Sequence, residues 1–334
     1  MRELINLKRK PVLIESADLV KIATLQGRSL PMVISPNLPG VNLKEWLNTQ
    51  RSFINQKLLE NGGLLFRGFS LPGQVEFHDM LSALDIPLMK YVEGATPRTA
   101  LTDKVYTATE FPSEYTIQLH NELSYVLSWP MKICFFCETP PVEGGETTIA
   151  DMRKVYQRIP KEIRDEFEKR KWKLIRNYDP NFSLTWQKSF GLNTRAEVEA
   201  YCKKADLEFT WKNDAVLKTS CVRDAVHTHP VTGEKIWFNH VVFWHPSTLD
   251  ARIKENFLKN FEIDDLPYNT TYGDGGKIDD EVIRIIKDAI DTETIAGPWQ
   301  QGDLLLLDNM LTAHGRNAFE GQRKILVAMG QAFK

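Results

Sequence analysis

Apolar residues recur at helical spacing in several stretches of the chain, with short runs typical of β-strands between them. The first such stretch covers residues 42–59, where apolar side chains fall three and four residues apart until Gly62 and Gly63 end the pattern. Thr194 with Glu197 forms a capping-box signature for a later helix, and Asp151 is the expected N-cap of another. The same spacing predicts helices at residues 74–84, 151–159, 160–170, 194–204 and 279–290.

The β-type runs are short and are bounded by glycine, proline and polar residues. They lie at residues 64–69, 105–109, 131–137, 146–150, 207–212, 216–224, 235–239, 303–308 and 324–329, the last two flanking a polar connection. Because the helices do not alternate regularly with these runs, a doubly wound parallel sheet is not expected. The predicted fold class is mainly β with α decorations, a sandwich or jelly roll, with a mostly helical insertion at about residues 151–206.

Length and composition limit the classes of function. The 334 residues suffice for one large domain or two modest ones. The formal net charge of -2, from 42 basic and 44 acidic residues, gives no signature of binding to nucleic acid or an anionic membrane. No membrane span or apolar signal core is found, and four scattered cysteines suggest reduced thiols, so a cytoplasmic protein is expected.

One short stretch places an imidazole and a carboxylate two residues apart, at His120 and Glu122. On a strand, residues i and i+2 share a face and can reach one small object. A nitrogen and carboxylate donor set without sulfur suits iron, manganese or zinc. The stretch therefore predicts part of a metal site.

A third ligand is sought among the other histidines. His227 and His229 share a face, but Pro230 follows directly, which is more typical of structural or surface histidines in a turn. His314 instead follows the apolar run 303–308 and a polar pair, where a side chain is presented at the end of β-structure. We therefore expect His314 to be the third ligand.

Arg323 stands at the entry to the apolar run 324–329. A guanidinium beside a buried strand needs an anionic partner, because its charge is costly to desolvate alone and its fork matches a carboxylate. It is interpreted either as a structural or surface arginine or as the binding group for the carboxylate of a cosubstrate.

Together these features resemble the taurine dioxygenase and clavaminate-synthase-like family of Fe(II)- and 2-oxoglutarate-dependent oxygenases, in particular its branch related to the syringomycin-biosynthesis hydroxylase. The resemblance implies one domain over residues 1–334 with the double-stranded β-helix, a jelly roll, as its core. The matching stretches occur in the family's order and are LLFRGF at 64–69, HNELSY at 120–125, GGET at 144–147, PWQQGD at 298–303, and DN at 308–309 followed by HGR at 314–316 and Arg323.

Roles for individual residues follow from this resemblance. It implies that His120, Glu122 and His314 bind Fe(II). It also implies that Arg323 and the hydroxyl of Thr147 bind the distal carboxylate of 2-oxoglutarate, with O2 as the second cosubstrate. Related halogenases lack the carboxylate ligand, so its presence here favours hydroxylation over chlorination.

The resemblance leaves the substrate open. The position where the taurine enzyme has its sulfonate-binding arginine is occupied by Val327, so taurine is not expected. We expect an amino-acid-like small molecule or an aminoacyl group tethered to a carrier protein, in specialised metabolism. Arg98, Asn121 and Arg316 are candidate substrate contacts, since polar side chains near the ligands would fix an amino-acid-like substrate.

Other outcomes and classes stay open at this stage. Desaturation, epoxidation and cyclisation use the same cofactors as hydroxylation. A zinc hydrolase uses a similar ligand set, although the chain lacks the H-E-x-x-H helix of many such enzymes. A non-catalytic jelly-roll binding protein is a further alternative, against which the complete ligand set counts.

Overall fold

The structure, a computed structural model, describes residues 16–91, 93–94, 99–102, 104–109, 111–259 and 261–334. The strands are β1 Val20–Leu25, β2 Arg28–Pro36, β3 Gly63–Phe66, β4 Val105–Thr107, β5 Ile117–His120, β6 Trp129–Thr139, β7 Glu143–Gly144, β8 Ile149–Asp151, β9 Trp172–Tyr178, β10 Glu208–Trp211, β11 Leu217–Arg223, β12 Val226–Thr228, β13 Lys235–Trp237, β14 Tyr268–Tyr272, β15 Leu304–Asp308, β16 Thr312–Arg316, β17 Phe319–Glu320 and β18 Lys324–Phe333.

The helices are mostly short and lie between the strands. They are α1 Leu43–Thr49, α2 Arg51–Asn61, α3 Gln74–Ala83, α4 Met152–Arg158, α5 Lys161–Arg170, α6 Trp186–Phe190, α7 Arg195–Lys204, α8 Val241–Trp244, α9 Ala251–Leu258 and α10 Asp280–Glu293, with 3-10 turns at Ser16–Leu19, Pro246–Thr248 and Ile263–Asp265. Within the described ranges, no helix is long and apolar enough to cross a membrane.

A seven-stranded sheet in the order β1-β2-β3-β15-β6-β18-β4 forms the main layer. All its neighbours are antiparallel except β2 and β3, which are parallel. The four leucines of β15 are buried on both faces, and strand alternation divides them between two apolar cores. Leu304 and Leu306 face the core that includes residues of α1, α2 and α3, while Leu305 and Leu307 face the larger core.

The larger core also receives residues from two smaller sheets. One has the order β5-β16-β8 and the other the order β10-β11-β9-β14. The three-stranded sheet positions the candidate metal site, because β5 and β16 carry two of its residues. The expected mainly β fold class with helices is thus confirmed.

Several local predictions are confirmed in detail. The Asp151 side chain accepts a hydrogen bond from the amide of Arg153 at the start of α4. Both hydrogen bonds of the Thr194 and Glu197 capping box are present at the start of α7.

The single helix expected over residues 42–59 is instead two helices, which meet at Gln50, the C-cap of the first and the residue before the second.

Of the segments that differ from expectation, two bear on the site and on the larger core. The polar connection before residues 324–329 contains β16, which pairs with β5 and β8 and is fully buried. The segment 151–206 is not wholly helical, because it contains β9, the strand to which both β11 and β14 pair. Nearly every residue of β9 is buried, so it lacks the alternation that marks a half-exposed strand.

Candidate active site

His120 and His314 are direct cross-strand neighbours in the antiparallel pair of β5 and β16. Their ring centroids lie 4.6 Å apart. Glu122 follows β5 by two residues, and its Oε2 lies 3.7 Å from Nε2 of His314. One donor atom from each of the three residues falls within 4.8 Å of the others. The structure therefore brings together the three residues that were predicted as ligands.

Neighbouring groups orient these side chains. Nδ1 of His120 lies 2.9 Å from the carbonyl oxygen of Gln118, and since a carbonyl only accepts, Nδ1 carries the proton and Nε2 is the nitrogen that would bind a metal. The side chain of Asn309 binds both backbone groups of Glu122: its Oδ1 accepts from the amide at 2.7 Å, and its Nδ2 donates to the carbonyl at 2.9 Å. The same Nδ2 donates to the carbonyl of Pro130 at the start of β6.

Asn121, predicted as a substrate contact, is completely buried. Its Nδ2 donates to the backbone carbonyl of Asn309 at 2.6 Å. The side chain therefore supports the turn that carries Glu122, and this position does not favour contact with substrate.

The surroundings of the three ligands are apolar and suit a buried metal. Phe243 packs against His120 with ring centroids 4.9 Å apart, and Phe135 lies 5.1 Å from the ring of His314. Two imidazoles and one carboxylate match the donor set that binds iron(II), and the tight grouping of their donor atoms fits a single ion.

His240 was not anticipated from the sequence, and it lies behind His120 with ring centroids 5.5 Å apart. Its Nδ1 is 2.6 Å from Oγ of Ser124, and its ring stacks on Trp244. Burial, and next the neighbouring His120, lower the pKa of His240 well below its usual range, so the ring is neutral. Neither His240 nor Phe243 stands in a sequence pattern that points to the site, because the fold alone brings α8 against β5.

A cleft beside the ligands leads to Arg323, and Thr147 lines the same cleft. Nε of Arg323 donates to the carbonyl of Gly145 at 2.9 Å. Gly145 has φ +66°, and an added Cβ would lie 3.1 Å from Cδ of Arg323 and 2.9 Å from Cβ of Phe319. Glycine is therefore required at this position for the arginine to lie across it.

The charge of Arg323 is poorly compensated in the cleft. Burial, followed by the like charge of Arg316, lowers the pKa of Arg323 to about 10. Val327, fully buried, lines the same cleft, where it adds no charge. An anion bound here would restore the balance, which is the chemical requirement of a carboxylate site.

Arg316 also lines this cleft, but its guanidinium is engaged with backbone oxygens. Nη1 donates to the carbonyl of Phe111, and Nη2 donates to the carbonyls of Pro112 and Tyr115. It is thus a link to the segment before β5, and not a side chain directed at substrate. Arg98, the other predicted substrate contact, lies outside the described residues.

Two further groups clarify the sequence motifs. Nε2 of His229, fully buried, lies 3.2 Å from Oδ2 of Asp308, which agrees with its interpretation as a structural histidine.

Arg67 forms a bidentate pair with Asp303, at 3.0 and 2.6 Å. The stretches 64–69 and 298–303 are therefore joined by an ion pair across the main sheet.

Comparison with known proteins gives the family. Residues 26–329 match the model of the family described as "Taurine catabolism dioxygenase TauD, TfdA family". The chain belongs to this family. It is 38% identical over 276 residues to the dapdiamide synthesis protein DdaC of Enterobacter agglomerans, covering 83% of this chain and 84% of that protein. It is 29% identical over 323 residues to a clavaminate synthase-like protein of Arabidopsis thaliana, covering 91% and 94% of the two chains.

A solved TauD-type structure supports the fold. PvcB, described as an Fe, alpha-ketoglutarate dependent oxygenase from an isonitrile synthetic pathway, aligns with a TM-score of 0.55 at 15% identity, covering 96% of this chain and 94% of that one. The predicted resemblance to the TauD family is confirmed. With its His-Glu-His group, this TauD-family chain is an oxidoreductase, an iron- and 2-oxoglutarate-dependent oxygenase.

Proposed function

We propose that His120, Glu122 and His314 are the iron(II) ligands of this oxygenase. The observation that carries the proposal is the convergence of their donor atoms within 4.8 Å from two paired strands and the turn after one of them. Three ligands on one face of an octahedral ion leave three positions for cosubstrates.

Arg323 and Thr147 are proposed to bind the distal carboxylate of 2-oxoglutarate. With Nε occupied by Gly145, the two terminal nitrogens of Arg323 are the groups that would face a carboxylate in the cleft. When bound, iron(II) and 2-oxoglutarate supply oxidation of a C–H bond by O2, with succinate and carbon dioxide as coproducts. The protein orients the partners, and Phe135 with Phe243 excludes water from the metal side.

The proposed reaction is hydroxylation of an unactivated C–H bond in an amino-acid-like molecule or a carrier-tethered aminoacyl group. Support comes from similarity to a protein of dapdiamide synthesis and from the carboxylate ligand Glu122, which leaves no room for chloride. Desaturation, epoxidation and cyclisation are the alternative outcomes, because they need the same metal site and differ in where the substrate is held.

We also propose that the chain is one domain with a jelly-roll core. The mostly antiparallel main sheet and the three-stranded sheet that carries His120 and His314 both contribute side chains to one core, which supports this arrangement.

The test is anaerobic reconstitution with iron(II) followed by addition of 2-oxoglutarate. A weak metal-to-ligand charge-transfer band is expected, and it should be lost in His120→Ala but kept in the control His78→Ala, whose histidine lies on α3 away from the site. Free amino acids and carrier-bound aminoacyl groups are then screened for release of succinate. Absence of the band in wild-type protein, or activity with zinc and without O2, would contradict the proposal.

A further inference from the structure

The segment of residues 111–115, here called the 111–115 turn, connects β4 to β5 and forms no strand pairing. Phe111 and Tyr115 are exposed, with ring centroids 5.7 Å apart. Arg316 donates three hydrogen bonds of 2.7 to 2.9 Å to backbone carbonyls of the turn. One further bond runs from the amide of Phe319 to the carbonyl of Ser113.

Arg316 reaches this turn from inside the cleft. It is two residues beyond His314 on β16, and only 5% of its surface is exposed. Its Nε is buried and has no hydrogen-bond partner among the described residues. Three neutral carbonyl oxygens therefore hold a buried full charge, and the exposed carboxylate of Glu114 compensates it only in part, since burial still lowers the pKa of Arg316.

Arg316 and Arg323 share the cleft. Their Cζ atoms lie 5.0 and 5.6 Å from the ring centroid of Phe319, which both guanidinium groups contact. The like charges repel each other, and a dianion in the cleft would compensate both. The free energy of keeping Arg316 buried thus depends on whether the cleft holds an anion.

We propose that Arg316 couples the binding of 2-oxoglutarate to the ordering of the 111–115 turn. This inference rests on the proposed cosubstrate site at Arg323. An anion in the cleft stabilises the buried guanidinium, and the guanidinium then holds the three carbonyls of the turn. Because such coupling is reciprocal, the ordered turn in turn raises the affinity for the cosubstrate.

The proposal makes Arg316 a positioning residue with a distinct signature. In anaerobic iron(II)-loaded protein, 2-oxoglutarate should slow amide hydrogen exchange in the 111–115 turn by about tenfold, the usual range of such coupling. Arg316→Lys keeps the charge but cannot bind three carbonyls with a planar fork, so exchange in the turn should be fast with or without 2-oxoglutarate. The variant should also bind 2-oxoglutarate more weakly.

Hydrogen-exchange mass spectrometry on peptides covering the turn measures both effects. The control is Arg284→Lys, an exposed arginine on α10 whose replacement should leave the ligand effect intact. If Arg316 were merely structural, Arg316→Lys would speed exchange by the same factor with and without 2-oxoglutarate. The ratio of the two exchange rates would then stay as in the wild type, and this result would overturn the proposal.

The wild-type measurement stands even if the variant does not fold. If the charge-transfer band forms but exchange in the 111–115 turn does not slow, only the proposed role of Arg316 is refuted. Failure of the band to form defeats the proposed function itself, so the two failures are distinguishable.

Discussion

Replacing Arg323 by methionine should have opposite effects on the stability of the ligand-free protein and on its affinity for 2-oxoglutarate. The arginine brings a charge into a cleft where burial and Arg316 lower its pKa to about 10. Methionine has similar length and no charge, so Arg323→Met keeps much of the packing while removing the unfavourable charge.

The magnitudes follow from this geometry. A pKa fall from the ordinary arginine value to about 10 corresponds to roughly 3 kcal/mol at about 1.4 kcal/mol per pH unit. Partial exposure and the lost hydrogen bond to Gly145, worth about 1 kcal/mol, reduce the expected gain in unfolding free energy to about 1–2 kcal/mol. Removing one partner of a buried charge pair costs about 2–5 kcal/mol, so affinity for 2-oxoglutarate should fall about 30-fold or more.

Urea unfolding of ligand-free protein and anaerobic titration of the iron(II) form with 2-oxoglutarate measure the two quantities. The control is Lys324→Met at the next position, an exposed cation paired with Glu138, which should change stability by less than about 0.5 kcal/mol and leave the affinity unchanged. A variant of Arg323 that is less stable and binds 2-oxoglutarate normally would show that the arginine is structural, and would refute this reasoning.

Three further predictions concern other parts of the structure. Asp303→Ala leaves Arg67 partly buried without its partner and should lower the unfolding free energy by about 3–5 kcal/mol; an unchanged urea midpoint would contradict this. Asn309→Ala removes the bonds that hold the backbone of Glu122, so iron(II) should bind about 10- to 100-fold more weakly in competition with a chelator, and equal affinity would exclude this role. Burial lowers the pKa of His245 to about 4, so on acidification the unfolded chain takes up this proton before the folded protein does. The unfolding free energy should therefore fall as the pH drops from about 6.5 to about 4, by up to about 1.4 kcal/mol per pH unit. His245→Gln should flatten that part of the stability profile, and a profile identical to that of the wild type would contradict this prediction.

The ligand residues could be predicted because their chemistry is local. The two-residue spacing keeps His120 and Glu122 close together, although Glu122 lies in the turn after β5 and not on the strand that the alternation argument assumed. The pairing of His120 with His314 was not available from spacing, since their strands are brought together only by the fold. The order of the family's motifs along the chain linked these distant residues, which the periodicity of single segments cannot do.

The missed strands have physical reasons. In β16 the sequence is Thr-Ala-His-Gly-Arg, which has little strand propensity of its own, and pairing with β5 and β8 on both sides imposes the extended conformation. In β9 burial on both faces hides the alternation. The role of Arg316 also depends on tertiary structure. Its hydrogen-bond partners are backbone carbonyls, which every residue type supplies, so no sequence pattern identifies them.

The order of strands in the main sheet has a consequence for synthesis of the protein. β15 lies between β3 and β6, and β18 lies between β6 and β4, so strands from the C-terminal end occupy central positions among strands made much earlier. β6 cannot pair with its two neighbours until β15 and then β18 have been synthesised, and β5 cannot pair with His314 until β16 has been synthesised. The three ligands can therefore come together only after β16 has been synthesised, much later than β5, through long-range pairings of the kind that form slowly.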